Sequence, residues 1–337
     1  MVRQANEIMA RRIANEVLDD LRVNVYPVDL EGIAVQLRCP VQDASGFPPH
    51  CYGALALLEG EFKILVSTAC PTPGLRRFTI GHEIGHASID GHTDALNWGD
   101  QAGARVALSE GHYRSMRDPI EVEADHFASE LLMPQRWARP LIDSLPVGMN
   151  AIREVADRFE ASLSAAAVRY ATVSAAPVVV VLSRGETIEW VAASREVTQA
   201  DFFRFNAVRT AIVPGGSATR RLAEHPDAVL RCSEASSTGL LCEWFPRAPS
   251  VVTVDVDAVG LGSYGRVLTL LMCSEMPDPD ELYLMEENEG TETEGGNWRD
   301  ALLLSRGSRS GTVRGKDGIL RTRASAPPYT GTRRVAS

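Results

Sequence analysis

The apolar positions follow a helical period over the first half of the chain and a strand period over much of the second. Within residues 4–22, Ile8, Ile13, Val17 and Leu21 keep roughly helical spacing and predict an amphipathic helix. Pro27 and Asp29 are start signals for a second helix in YPVDLEGIAVQL. In CYGALALLEGEFKILVSTA, residues 51–69, two apolar stretches flank a glycine-containing turn and predict a hairpin. After the breakers Pro71, Pro73 and Gly74 a helix is expected from near Arg76 until Asp90-Gly91 ends it. Residues 93–118 are polar and mixed, and read as a long loop holding a short helix. Pro119 opens a further helix, IEVEADHFASELLM, and Pro134 closes it.

Residues 149–174 read as helix, short turn, helix, and near Ala175 the texture changes. PVVVVLSRGETIEWVAAS predicts a hairpin about Arg184-Gly185-Glu186, and SVVTVDVDAV and GRVLTLLMC predict further strands. The acidic stretch DPDELYLMEENEGTETEGG then gives way to a Gly/Ser/Arg-rich tail without periodic apolar residues. The expected fold class is α+β, in four parts: 1–140, a helix-turn-helix-like segment at 141–175, a mixed α/β domain at 176–285, and a disordered tail at 286–337.

Composition narrows the compartment and the partners. The 337 residues carry a net charge of -10, which argues against general nucleic-acid binding while leaving room for a local basic surface. The first residues lack the continuous apolar core of a signal peptide, and the longest apolar run, APVVVVL at 176–182, is strand-sized, so no membrane segment is expected. Six scattered cysteines form no C-x-x-C pair. Together these point to a cytoplasmic protein.

The candidate chemistry lies in RRFTIGHEIGHASIDGH, residues 76–92. Four residues apart on a helix, His82 and His86 present two imidazoles to one point, with Glu83 beside it. This H-E-x-x-H pattern binds Zn²⁺ through the histidines and uses the glutamate to take a proton from water. Phe78, Thr79, Ile80 and Ile84 predict a largely buried helix, in which such polar groups need a partner.

Two candidates compete for third ligand. His92 follows His86 by six residues, but the turn that would bring it back needs a glycine at position 89, where Ile89 stands; Gly91 comes two places late. His92 is therefore read as an exposed residue past a helix end. On the later helix, Glu121 and Asp125 share a face, so that Glu121 can bind metal while Asp125 accepts a hydrogen bond from a ligand histidine. Glu123 points elsewhere and reads as a solvent-facing or ion-pairing residue.

RRFTIGHEIGH followed by EVEADHFASELLMP resembles the ImmA/IrrE family of zinc metallo-endopeptidases over about residues 1–140, with Gly81 standing where alanine is usual. The resemblance implies Zn²⁺ held by His82, His86 and Glu121, with Glu83 as the catalytic acid/base. It implies a gluzincin-like peptidase domain, a small sheet beside the active-site helices. It further implies as partner a helix-turn-helix transcriptional repressor whose cleavage relieves repression. Some members carry a comparable helix-turn-helix and then a sensor-like C-terminal domain, which the layout here resembles. Substrate recognition is assigned to the 93–118 loop and residues 141–283. His112, Tyr113 and Arg114 are candidate oxyanion donors, although no spacing rule separates them from an ordinary polar loop.

In AIREVADRFEASLSAAAVRYA the turn is FEAS, Glu160 replaces the usual turn glycine, and Arg169 is the single cation of SAAAVRYA. A DNA-reading helix offers several basic and polar groups, so a packing module is the better reading and direct DNA binding is not expected. VPGGSATRRL lacks the spacing of a phosphate loop. The sequence thus predicts a zinc endopeptidase acting on a regulatory protein. The alternative is a non-hydrolytic regulator, or a DNA-binding protein that keeps the zinc fold as a scaffold.

Overall fold

In the computed structural model, which describes residues 4–101, 104–108, 118–199, 211–274 and 276, helix α1 (Glu7–Asp20) starts where the Asn6 side chain accepts the Met9 N–H. Its buried face holds most of the expected one: Val17 is buried and Ile13 and Leu21 pack partly buried on the core, but Ile8 is 83% exposed and Ala10, Ala14 and Leu18 are buried beside Val17. Two alanines four apart make a shallow face onto which a neighbouring helix packs closely, and that face prevails over the larger isoleucine. Asp29 caps α2 (Leu30–Gln36) by accepting the Gly32 N–H.

The first sheet contains β1 (Val41–Ala44), β2 (Gly53–Leu58), β3 (Glu61–Ser67), β4 (Gly99–Gln101) and β5 (Ala104–Leu108), in the order β1-β3-β2-β5-β4. β2 and β3 form the expected hairpin, β1 runs parallel to β3, and β5 pairs antiparallel with β2. The 93–118 stretch is therefore more structured than its polarity suggested: β4 and β5 extend the sheet, with Val106 and Ala107 buried. His112, Tyr113, Arg114 and the 286–337 tail lie outside the described residues.

Leu55, Ile64 and Val66 of this sheet join the main core together with Ile80 and Ile84 of helix α3 (Pro73–Ser88). Thr72 caps α3 by accepting the Leu75 N–H, and Pro73 occupies its first turn. A short helix α4 (His92–Ala95) follows, then α5 (Pro119–Leu132), capped by Asp118 and broken before Pro134. α3 and α5 pack closely because Gly81 and Gly85 face Ala124, Phe127 and Ala128. A Cβ at Gly81 would sit 3.4 Å from the Ala128 Cβ, an ordinary contact. One at Gly85 would lie 3.1 Å from Phe127 Cδ1 and 3.3 Å from Ala124 Cα. Gly81→Ala should therefore stabilise by up to about 1 kcal/mol through helix propensity. Gly85→Ala should instead lose up to about 2 kcal/mol, because crowding of about 1–3 kcal/mol outweighs the same gain. Urea unfolding of the two variants checks the opposite signs.

Helices α6 (Gln135–Asp143), α7 (Met149–Phe159) and α8 (Leu163–Val173) come next. The turn between α7 and α8 puts Glu160 at φ 49°, a left-handed conformation usually taken by glycine. α8 is enclosed nearly all round, with Thr172 alone exposed, and packs on α6, α7 and the second sheet. Its Arg169 is buried and paired with Glu130 of α5 at 2.9 Å. That geometry suits a packing module and leaves Arg169 no route to a nucleic-acid groove.

The second sheet is antiparallel, in the order β7-β6-β10-β9-β8, from β6 (Val178–Arg184), β7 (Thr187–Ala193), β8 (Glu234–Leu240), β9 (Thr253–Gly260) and β10 (Val267–Cys273). Helices α9 (Arg195–Gln199), α10 (Ala218–Ala223), α11 (Pro226–Leu230) and α12 (Leu241–Trp244) lie in its connections. Strand alternation divides β6: Val178, Val180 and Leu182 face the main core, and Val179 and Val181 a second cluster with Leu222, Trp244 and Phe245. The main core runs from Ala10 to Leu270, within one compact unit, Met1–Leu282. The six cysteines form no disulfide, and no helix among the described residues is long and apolar enough to cross a membrane.

Candidate metal centre

Eight consecutive residues of α3, Thr79 to His86, are buried. Helical geometry places His82 and His86 one turn apart, and their Nε2 atoms lie 3.0 Å from each other. Glu121, in the first turn of α5, puts Oε2 at 3.3 Å from His82 Nε2 and Oε1 at 3.3 Å from His86 Nε2. One ligand atom from each of the three residues lies within 4.8 Å of the others, and all three residues are buried. A tetrahedral ion with ligands at about 2.0–2.1 Å separates them by about 3.3 Å. The separations seen here match that edge, and Glu121 Oε2 is buried without a well-aligned hydrogen bond. The donor set thus fits a metal ion, and two imidazoles with one carboxylate is a zinc-type set.

Electrostatics support the same reading. Burial opposes charge on His82, but Asp125, at 2.9 Å from Nδ1, and Glu121 outweigh it and hold the pKa well above the ordinary histidine value. Burial is the main reason that the His86 pKa falls to about 4. Burial pushes Glu121 up, yet the His82 and His86 rings beside it outweigh that and hold the carboxyl down to about 2. Asp125 sits one turn beyond Glu121 on α5 and holds the outer nitrogen of His82, as the shared helical face suggested.

Glu83 is buried on α3 against the start of β2. A Cβ on Gly53 would fall 2.6 Å from Glu83 Oε1 and 2.4 Å from Thr79 Cγ2, so the carboxylate occupies room that only a glycine leaves.

One expectation is overturned and another holds in part. His92 is not exposed: it is 0% exposed, with Nδ1 3.1 Å from His86 Nδ1 and Nε2 2.8 Å from Glu123 Oε2. Gly91, at φ 79°, supplies a turn after all, one that carries His92 behind the His86 ring rather than to the three converging ligand atoms. Of the two readings of Glu123, the solvent-facing one fails, since it is 1% exposed, and the ion-pairing one holds through His92, while its Oε1 also accepts the Asn6 N–H at 2.8 Å. Sequence spacing placed His92 at the surface and left Glu123 open to it because the burial of both depends on contacts between elements, His92 to Glu123 and Asn6 to Glu123.

Residues 33–170 match the family model Peptidase_M78, described as the IrrE N-terminal-like domain. A solved structure, a Mycobacterium tuberculosis transcriptional regulator, aligns with 15% identity and a TM-score of 0.47, covering 86% of this chain and 81% of that chain. No curated protein matches the sequence.

Proposed function

We propose that this protein is a zinc-dependent endopeptidase that cleaves a regulatory protein, with a helix-turn-helix transcriptional repressor as the substrate class. The observation that carries the reading is the convergence of His82, His86 and Glu121 at tetrahedral separations, with Glu83 on the same buried helix. Zinc bound there would supply Lewis acidity, polarising the scissile carbonyl and making water more acidic. Asp125 orients His82 through its outer nitrogen. Glu83 acts as general base, taking a proton from the attacking water and handing it to the leaving amine. Gly53 and Thr79 fix where that carboxylate rests. Residues 1–140 carry this centre, while 141–175 brace it and 176–285 serve recognition or sensing. The burial of Arg169 supports bracing over DNA contact.

The test uses the zinc-loaded protein and a helix-turn-helix repressor encoded beside it, with product masses measured. Two fragments whose masses sum to the repressor plus one water are expected, and a chelator should stop their formation. Glu83→Gln should keep its zinc and cut about 10²–10⁴-fold more slowly. A zinc-loaded Glu83→Gln protein that cuts at the unaltered rate would refute the assignment of the base, and a zinc-loaded unaltered protein that leaves the repressor whole would favour a non-hydrolytic regulator.

A further inference from the structure

We propose that His92 and Glu123 clamp the His86 ring in the one tautomer that can bind a metal. This rests on the metal reading of His82, His86 and Glu121. A carboxylate only accepts hydrogen bonds, so Glu123 takes the Asn6 N–H on Oε1 and the His92 Nε2–H on Oε2. A neutral His92 with its proton on Nε2 offers a bare Nδ1. That atom lies 3.1 Å from His86 Nδ1, which must then be the donor. His86 is left with a bare Nε2, the atom 3.0 Å from His82 Nε2 and 3.3 Å from Glu121 Oε1. With His92 neutral, the donors run one way along the chain, from His86 Nδ1–H to His92 and from His92 Nε2–H to Glu123.

The two histidines are thus held by different means. Asp125 reaches His82 Nδ1 directly, at 2.9 Å. On the His86 side Glu123 stands one imidazole further away, and His92 spans the gap. His92 and Glu123 are positioning residues, acting through His86 rather than on the metal. The chain also ties the centre to α1, since Asn6 both caps that helix and holds Glu123.

Glu123→Gln tests the clamp with little change of shape. If the new amide N–H₂ faces His92 Nε2, the order of donors reverses along the chain and the proton moves to His86 Nε2. If it faces Asn6, two donors oppose each other. Zinc affinity, measured by competition with a chromophoric chelator, should fall about 10–100-fold in this variant. Histidine ring ¹H–¹⁵N correlation spectra of the metal-free unaltered protein should show His86 protonated on Nδ1. An affinity within twofold of the unaltered protein would overturn the clamp, and so would an Nε2–H tautomer of His86 in the unaltered protein. Should Glu123→Gln fail to fold, the tautomer decides by itself. If the unaltered protein takes up no zinc, the metal reading fails, while the tautomer still reports on the clamp.

Discussion

Glu121→Ala is expected to abolish tight zinc uptake while α5 keeps its place through Phe127, Leu131 and Leu132, which are buried in the main core. Losing a ligand should cost well over the about 100-fold typical of losing an outer partner. His92→Ala should cost less than Glu121→Ala, because His92 stands behind His86 at the far ring nitrogen. Zinc content after dialysis against a weak chelator measures both, and the reverse order would make His92 the third ligand. Uptake should also depend on pH. Without metal, His82 is held charged well above its ordinary pKa, while His86, near 4, and Glu121, near 2, already lack their protons at neutrality. A metal must displace the His82 proton, so affinity should rise with pH until His82 deprotonates in the folded protein. About one proton should appear per zinc bound, as read in a weakly buffered titration.

Arg169→Met is expected to lower stability by about 3–5 kcal/mol, the range for removing one member of a buried ion pair. Arg169 Nη1 lies 2.9 Å from Glu130 Oε2, and Nη2 donates to the Ser129 carbonyl at 2.7 Å. Glu130 Oε1 accepts from Asn15 Nδ2 at 3.1 Å and from the Gln135 N–H at 2.9 Å. The pair therefore joins α8 to α5 and α1, and the variant leaves a buried carboxylate without its cation. Against a typical stability of about 5–15 kcal/mol, that loss is large. Arg153→Ala is the contrast: its pair with Glu234, at 2.8 Å, is solvent-exposed and should change stability by at most about 1 kcal/mol. Urea unfolding separates the two, and an Arg169→Met loss within about 1 kcal/mol would remove the bracing role from α8.

The hairpin of β2 and β3, α3, α5 and the α7–α8 pair were legible because each carries a local signal: Gly60 in a turn, Pro73 and Pro119 in first turns, Asp118 and Thr72 at caps. The relation of His82, Glu83 and His86 needed only helical spacing, and Asp125 only the face that it shares with Glu121. Other features depend on tertiary contact. The buried face of α1 uses Ala10 and Ala14, which a count of large apolar residues passes over in favour of Ile8. β4 and β5 are three and five residues long, too short for a clear alternation. The burial of His92 and Glu123 was not legible because each is judged by its own helix, whereas it depends on contacts between elements. One signal was available: Gly91 immediately before a histidine marks a chain reversal, and a reversal there brings His92 back toward α3.

The account stands most directly on the identity of the atoms around the metal. X-ray absorption at the zinc edge of the loaded, full-length protein counts them. The expected spectrum shows two imidazoles and carboxylate oxygen at about 2.0–2.2 Å, with no sulfur. Three imidazoles or any sulfur ligand would contradict the centre built from His82, His86 and Glu121.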